Sequence, residues 1–163
     1  MNYKTTMKRE KSAGAIVFRK EKEPKYLLLH YEEKHWDFPK GNVEKDETDT
    51  ETVKREIAEE TGITDVEIIQ GFKEKIQYYY KLKNELINKE VIFYLAKTNT
   101  EQVKLSFEHI GYAWLPYDKA IEKLTYKNAK EILEKANEFL KHIRLWTSFT
   151  NQNSTNIKNI IYN

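Results

Sequence analysis

Three carboxylates, Glu56, Glu59 and Glu60, stand within five positions of one predicted helix and could carry chemistry. Carboxylates packed this closely repel one another unless a cation lies among them. A hard divalent metal ion takes oxygen ligands and works on phosphates. From Gly41 to Gly62 there are eight acidic and three basic residues, a local charge of −5 in a chain of net charge +2. The cluster therefore predicts a metal site, and a solvated acidic helix face is the simpler alternative.

The helix that carries these carboxylates has recognisable ends. Thr48 is placed to cap its N-terminus, and Glu51, three residues later, completes a capping box. Gly62 supplies the left-handed residue that ends a helix. Val53 and Ile57 form an apolar stripe at i, i+4, and two of the carboxylates leave the helix on the flank of that stripe. The spacing therefore predicts carboxylates at the rim of a core, where a cleft could form.

The segment resembles the signature of the Nudix hydrolases, G-x5-E-x7-R-E-U-x-E-E-x-G-U with U aliphatic. Its fixed positions are all met, by Gly41, Glu47, Arg55, Glu56, Ile57, Glu59, Glu60, Gly62 and Ile63. The resemblance implies a hydrolase of nucleoside diphosphates linked to another group, with Mg²⁺ or Mn²⁺ as cofactor. It also implies the groups that bind the metal, namely Glu56 and Glu60 as primary ligands, with contributions from Glu59 and the Gly41 carbonyl.

Three further charged residues receive roles from the same resemblance. Glu47 and Arg55 are expected to organise the loop and helix rather than to touch substrate, and Arg55 is expected to pair with Glu59 at i, i+4. Glu108, outside the signature, is implied as general base or further metal ligand. For Glu108 an ordinary glutamate in a surface loop is the alternative.

The composition limits the protein class. The 163 residues, 39% hydrophobic and 33% charged, fit one soluble globular domain. There is no cysteine, which excludes disulfides, zinc thiolates and a thiol nucleophile. The N-terminal segment lacks the apolar region of a signal peptide and no stretch is long enough to span a membrane, so we expect a cytoplasmic protein. The small net charge gives no reason to expect a stable nucleic-acid partner, and the sequence leaves the oligomeric state open.

The predicted elements alternate in the way that gives a mixed sheet covered on both faces. Buried strands are predicted at Ala13–Arg19, Lys25–Tyr31, Val91–Ala96 and Ile110–Leu115, with a long, partly alternating segment at Asp65–Lys81 and a polar connection at Lys83–Lys89. Helices are predicted at Tyr117–Leu124 and from Asn128 to about Ile143. The fold class is α+β, a Nudix α/β/α sandwich with a central mixed sheet. The expected parts are an N-terminal extension (1–11), the Nudix domain (12–143) and a polar C-terminal tail (144–163).

The segments around the signature resemble one branch of the family, the asymmetrical diadenosine tetraphosphate hydrolases. The resemblance rests on KHWDFPKG at 34–41, EH at 108–109, GYAWLP at 111–116 and LTYKNAK at 124–130, and it covers about residues 12–142. Bacterial RNA pyrophosphohydrolases share much of this pattern.

A dinucleoside tetraphosphate carries several negative charges, so its site needs cations besides the metal. By resemblance His35, Lys40 and Lys89 touch the phosphate chain, although Lys89 could be an ordinary solvated loop lysine. Four residues after Lys89, where family members often carry a phosphate-binding tyrosine, this chain has Phe93. That contact is expected to be lost or to come from another group.

Tyr78 and Tyr126 match family positions that clamp an adenine, and stacking on a ring contributes on the order of 1–3 kcal/mol per base. Packing in sheet and helix is the alternative for both, since tyrosine is favoured in strands. The choice among Tyr78, Tyr79 and Tyr80 stays open at this stage, because alternate residues of a strand point to opposite faces.

The resemblance and the residues together predict metal-assisted attack of water on a phosphorus near one end of a polyphosphate, with ATP and AMP as products from diadenosine tetraphosphate. The first alternative is removal of diphosphate from RNA 5′ ends. A second is a sensor that binds nucleotides without cutting them, which the intact carboxylate set disfavours. Cleansing of oxidised nucleoside triphosphates is a further alternative that the flanking segments do not favour.

Overall fold

The computed structural model describes residues 7–161, with side chains described up to residue 148 except at residue 146. It contains seven strands and three helices within that range. In chain order they are β1 (Lys8–Arg19), β2 (Lys25–Tyr31), β3 (Trp36–Asp37), β4 (Lys40–Asn42), α1 (Asp49–Thr61), β5 (Glu67–Leu82), β6 (Glu85–Thr98), β7 (His109–Pro116), α2 (Tyr117–Lys123) and α3 (Lys127–Ile161). None of the described helices is both long and apolar enough to cross a membrane.

All seven strands belong to one mixed sheet. Its order is β3-β2-β1-β6-β5, with β4 also paired to β1 and β7 to β2. Strands β1 and β6 run parallel over the whole length of β1, and the other pairs are antiparallel. The first two strands form a hairpin in which only the turn end is paired, at Phe18↔Tyr26 and Arg19↔Lys25.

The sheet is covered on both faces. Helix α1 buries Val53 and Ile57 against one face. Helices α2 and α3 cover the other face, where Ile132 and Leu133 pack among buried residues such as Phe93. Each face of the sheet carries apolar side chains that must be buried, so helices pack on both faces and the fold has three layers. The expected α/β/α sandwich with a mixed sheet is confirmed.

The polar connection expected at Lys83–Lys89 is wrong. Strands β5 and β6 continue through this region and meet at a two-residue turn, where Lys83 and Asn84 have φ of 47° and 65°. Two consecutive residues with positive φ are typical of the turns that join tight hairpins. The two strands extend as a ribbon with polar side chains here, so no apolar run marked them. Lys89 consequently lies in a strand and not in a loop.

The first strand and the last helix are longer than their apolar runs predicted. Strand β1 begins at Lys8, so the expected start of the domain at residue 12 falls inside it. Helix α3 continues to Ile161, although the apolar stripe ends near Leu140, and residues 144–161 of the expected tail therefore have helical backbone. The sequence after Pro116 contains neither Gly nor Pro, and Asn and Thr lower helix propensity without ending a helix.

Candidate active site

Helix α1 has the ends that the sequence predicted. The Thr48 backbone N–H donates to Glu51 Oε2 at 2.8 Å, and the Glu51 backbone N–H donates to Thr48 Oγ1 at 3.2 Å, which completes the capping box. Gly62 has φ of 72° and donates its N–H to the carbonyl of Ala58 at 2.9 Å. These contacts fix the length of the helix, and with it the place where each carboxylate leaves.

The three carboxylates of the helix differ in exposure and partners. Glu60 is 4% exposed, and its Oε2 accepts the backbone N–H of Lys40 at 3.2 Å. Glu56 is half-buried and accepts from Arg55 Nη1 at 2.6 Å. The Glu59 side chain is 59% exposed and lies 3.3 Å from the same Nη1, which is the predicted i, i+4 pair.

Arg55 is directed mainly at Glu47 and at the loop before the helix. Its Nε and Nη2 donate to the two carboxylate oxygens of Glu47 at 2.7 and 3.0 Å, and Nη2 also donates to the Asn42 carbonyl at 3.0 Å. The hydrogen bonds from Arg55, followed by that from Thr52, lower the pKa of Glu47 to about 2. This bidentate pair ties the loop to the helix, which is the geometry of an organising role.

Burial leaves the inner carboxylates short of positive charge. Desolvation, followed by the negative charge of the neighbouring Glu56, raises the pKa of Glu60 to about 8, and the charge and backbone N–H of Lys40 oppose the shift. The pKa of Glu56 is also raised, again chiefly by burial, although Arg55 opposes the shift. A divalent cation at this point would supply the missing charge.

The donor set fits a hard metal ion. The backbone of Gly41 lies directly against Glu56, so that a Cβ at this position would fall 2.0 Å from the carboxylate Cδ. The Gly41 carbonyl and the carboxylates of Glu56, Glu59 and Glu60 offer oxygen atoms only, as Mg²⁺ or Mn²⁺ requires. Across the described residues, no three acidic or histidine side chains converge closely enough to hold an ion as they stand.

Two adjoining cavities bring the expected residues together. The larger, about 1020 Å³, is lined by the three helix carboxylates together with Gly41, Arg55, Lys40, Lys89, Tyr78 and Glu108. The smaller, about 410 Å³, is lined by His35, Lys40, Tyr78 and Tyr126. Lys40 and Tyr78 line both and join them. Among the predicted site residues Glu47 lines neither, in keeping with its hydrogen bonds to Arg55.

The two lysines of the site are held by short polar contacts. Lys40 Nζ lies 2.7 Å from Asp37 Oδ2 and 4.9 Å from the centre of the Tyr31 ring. Lys89 Nζ donates to Asn42 Oδ1 at 2.7 Å, and burial lowers the pKa of this lysine. Its side chain is only 13% exposed, so the alternative of a solvated loop lysine is wrong.

The smaller cavity is framed by aromatic rings. Tyr78 and Tyr126 are 38% and 47% exposed. The His35 ring stacks on Tyr31 at 4.5 Å between centroids and lies 5.4 Å from the ring of Tyr126. Burial lowers the pKa of His35, which favours the neutral imidazole. Exposed rings around a cavity leave flat surface available for a base.

Hydrogen bonds between strand β3 and the residues before α3 position Tyr126. The Trp36 backbone N–H donates to Thr125 Oγ1 at 2.8 Å, and the Thr125 N–H donates to the Trp36 carbonyl at 3.2 Å. These bonds fasten the start of α3 to β3. Segments 89 residues apart in the chain are therefore joined at the cavity.

The three consecutive tyrosines of β5 point to alternate faces of the sheet. The rings of Tyr78 and Tyr80 lie on one face with centroids 6.2 Å apart, while Tyr79 points to the opposite face and is 59% exposed. Tyr80 also lines the larger cavity and donates its hydroxyl to Glu10 Oε2 at 2.7 Å.

Glu108 belongs to a turn that is fastened to helix α1. The Ser106 N–H donates to the Glu60 carbonyl at 3.2 Å, and the His109 N–H donates to the Ser106 carbonyl at 3.3 Å. His109 is buried, and its Nε2 lies 3.8 Å from Glu60 Oε1 and has no hydrogen-bond partner among the described residues. Glu108 itself lines the larger cavity. The turn thus sets Glu108 beside the helix carboxylates.

Several residues of the site were not found from the sequence. Tyr31, Asn42 and Phe107 line the larger cavity, and no local spacing marked them because they come from different elements. Phe93 is buried and packs edge-on against Phe38 at 5.8 Å. It lines neither of the two cavities.

The family profile described as NUDIX domain matches residues 8–136. The chain belongs to the Nudix family. The match begins at the first residue of β1 and includes every expected site residue, from His35 to Tyr126.

Curated Nudix proteins and solved structures resemble the chain over most of its length. The mouse bis(5′-nucleosyl)-tetraphosphatase [asymmetrical] is 36% identical, covering 80% of this chain and 95% of that protein. The crystal structure of a C. elegans Ap4A hydrolase binary complex is similar with a TM-score of 0.72 and 32% identity, covering 82% of this chain and 98% of that one. An RNA pyrophosphohydrolase of Sulfurovum is 28% identical, covering 65% of this chain and 74% of that protein.

Proposed function

We propose that this Nudix protein hydrolyses dinucleoside polyphosphates with Mg²⁺ or Mn²⁺, and that diadenosine tetraphosphate yields ATP and AMP. The observation that carries the proposal is the joined pair of cavities. One holds the helix carboxylates and two lysines, the other holds the tyrosine pair, and Lys40 and Tyr78 line both. A substrate with a base at one end of a polyphosphate fits such a surface. The names of the mouse and worm relatives agree with this substrate class.

In the proposed site Glu56 and Glu60 would hold the metal, with Glu59 and the Gly41 carbonyl. When bound, the metal would lower the pKa of water and would offset the negative charge that develops on the phosphoryl oxygens. Glu60 keeps its carboxylate in place through the Lys40 N–H at 3.2 Å. The Glu56 carboxylate lies so close to the Gly41 backbone that residue 41 has no room for a side chain larger than hydrogen.

Glu108 acts as the general base in this proposal, accepting the proton of the attacking water. Its turn is fixed by the hydrogen bond from Ser106 to the Glu60 carbonyl, which keeps it near the helix carboxylates. Arg55 and Glu47 shape the loop and do not meet the substrate. A base held within reach of the water contributes typically 10²–10⁴-fold to the rate.

The cations and rings bind the substrate in this account. Lys40, Lys89 and His35 contact the phosphates, and the Asp37 carboxylate holds the Lys40 ammonium at the place where the two cavities join. Tyr78 and Tyr126 stack on one adenine. Stacking needs ring surface and no particular base edge, so related dinucleotides are also expected to be cleaved.

Removal of diphosphate from RNA 5′ ends is the second candidate, favoured by the likeness to the Sulfurovum protein. The rim of the larger cavity opposes it, since Glu32, Glu33 and Glu44 line that rim. A continuing RNA chain would bring further phosphates close to these carboxylates, whereas the far end of a dinucleotide is a neutral base.

A substrate panel tests the proposal. We would measure kcat/KM for diadenosine tri-, tetra- and pentaphosphate, 5′-triphosphorylated RNA, ADP-ribose and 8-oxo-dGTP, each with Mg²⁺ and with Mn²⁺, and identify the products. The proposal expects diadenosine tetraphosphate to rank above the RNA. A higher kcat/KM for the RNA would replace it with the second candidate. Cell fractionation would test the cytoplasmic location that accompanies this proposal.

A further inference from the structure

Phe107 is an exposed aromatic residue at the mouth of the larger cavity. Its side chain is 89% exposed, more than any other large hydrophobic residue among those described. It also lines the cavity that contains the helix carboxylates. A single exposed hydrophobic residue is ordinary, so the exposure alone does not assign a role. The role follows from how the ring is held and from where it lies.

The backbone under Phe107 is fixed on both sides. The preceding residue, Ser106, donates its N–H to the Glu60 carbonyl at 3.2 Å, and Ser106 Oγ lies 3.0 Å from Nδ1 of buried His109. The carbonyl of the following residue, Glu108, accepts the Glu32 N–H at 3.3 Å. An anchored backbone under an exposed ring lowers the entropy cost of binding something on that ring.

Glu60 contacts both Lys40, which lines the two cavities, and the turn that carries Phe107. The carboxylate of Glu60 accepts from Lys40, which lines the smaller cavity, while its backbone carbonyl accepts from the turn that carries Phe107. Phe107 does not line the smaller cavity, where Tyr126 lies. Phe107 and Tyr126 therefore line different cavities, and Lys40 and Tyr78 line both.

The charges around Phe107 select what can lie on it. Glu32, Glu33, Glu59 and Glu108 line the same cavity as Phe107, and the Glu32 N–H donates to the carbonyl of Glu108, the residue after Phe107. Anionic groups are repelled from such a rim, while a neutral planar ring is not. A nucleobase is neutral and planar, and it stacks on an aromatic side chain with no need for specific hydrogen bonds.

We propose that Phe107 stacks on the second base of a dinucleoside polyphosphate whose first base lies between Tyr78 and Tyr126. The polyphosphate would cross Lys40 and the helix carboxylates between them. This inference rests on the proposed function and adds a second base subsite to it. Phe107 would then distinguish a substrate with two nucleosides from a nucleotide with one.

The test compares two ligands that differ only at the far end. KM for diadenosine tetraphosphate and the inhibition constant of adenosine 5′-tetraphosphate, which lacks the second nucleoside, are measured for wild type and for Phe107→Ala. We expect KM to rise about 10-fold, within the range for one stacked base, and the inhibition constant to stay within twofold. Phe107→Trp should keep the wild-type KM, because it restores a ring.

Tyr79→Ala is the matched control, since Tyr79 is also an exposed aromatic residue but lines neither cavity. It should change neither constant, and melting temperatures should show that all variants fold. An unchanged KM in Phe107→Ala, or an equal rise in both constants, would overturn the second base subsite while the proposed function stands. A wild-type protein that leaves diadenosine tetraphosphate intact would overturn the proposed function and the subsite together.

Discussion

The two sides of the sheet contribute to the cavities in different ways. On the α1 side the groups come from one continuous segment, 41–62, and hold one another through short polar contacts such as Arg55 to Glu47 at 2.7 Å. On the α3 side His35, Tyr78 and Tyr126 come from three separate stretches of the chain, and the His35 ring stacks on Tyr31 and lies 5.4 Å from the ring of Tyr126. One side is built by local sequence and the other by tertiary packing.

This difference separates chemistry from recognition in the proposed enzyme. Groups that stabilise charge only in the transition state act on kcat, whereas groups that bind substrate and transition state alike act on KM. We expect changes on the α1 side to lower kcat and changes on the α3 side to raise KM. The following predictions test that division, from the largest expected effect to the smallest.

Glu60→Gln should nearly abolish turnover. The variant keeps an oxygen for the Lys40 N–H but loses one charge from the metal-binding set. Loss of several kcal/mol of transition-state stabilisation corresponds to a fall in kcat of about 10³-fold or more. Single-turnover rates at saturating Mg²⁺ measure it. A variant that keeps more than about a tenth of the wild-type kcat would remove Glu60 from the metal site.

Gly41→Ala should lower kcat by about 100-fold with little change in KM. The new Cβ would lie 2.0 Å from the Glu56 carboxylate and push it aside, and a displacement of about 1 Å at a reacting centre can cost this much. Steady-state kinetics together with a melting curve check it. If kcat stayed within threefold of wild type in a folded variant, the contact between Gly41 and Glu56 would have no part in catalysis.

The α1 side was largely predictable from sequence, and the reason is its locality. Thr48, Glu51 and Gly62 act within one helix, so their spacing alone determined the caps. The rim positions of Glu56 and Glu60 followed from helical periodicity. The hydrogen bond from Arg55 to Glu47 joins residues eight positions apart. The signature predicted an organising role for this pair but not this contact.

The other side was less predictable because tertiary packing assembles it. The β5–β6 ribbon lacked an apolar run, so Lys89 was misplaced in a loop. Tyr31, Asn42 and Phe107 have no spacing relation to one another and meet only in the folded cavity. Tyr126 could be named from the family resemblance, but its attachment through Thr125 to Trp36 appears only in the structure.

Tyr126→Ala should raise KM for diadenosine tetraphosphate about 10-fold, because one stacking ring is worth about 1–3 kcal/mol. Tyr126→Phe should be nearly silent, since stacking uses the ring and not the hydroxyl. Steady-state KM and melting temperature are measured for both variants. Simple packing predicts the reverse pattern, with a lower melting temperature in Tyr126→Ala and an unchanged KM, and that result would contradict the base clamp.

The smallest expected effect is on stability without metal. The folded-state pKa of Glu60, about 8, lies above the ordinary value of 4.5, so the wild-type protein loses stability as the pH rises between these values. Glu60→Gln cannot ionise and should melt higher by at least about 3 °C in chelator at pH 8.5, on a scale of roughly 2–4 °C per kcal/mol. The difference should shrink at pH 4.5. Calorimetry at both pH values checks the sign, and a lower melting temperature at pH 8.5 would contradict it.

The central claim is that the protein hydrolyses diadenosine tetraphosphate at a metal held by the carboxylates of α1, while Tyr78 and Tyr126 bind one adenine. The most direct measurement is a chromatographic time course of diadenosine tetraphosphate with wild-type protein and Mg²⁺. The account predicts AMP and ATP in equal amounts, with no cleavage in chelator. Formation of ADP as the product, or release of diphosphate from triphosphorylated RNA while the dinucleotide stays intact, would contradict it.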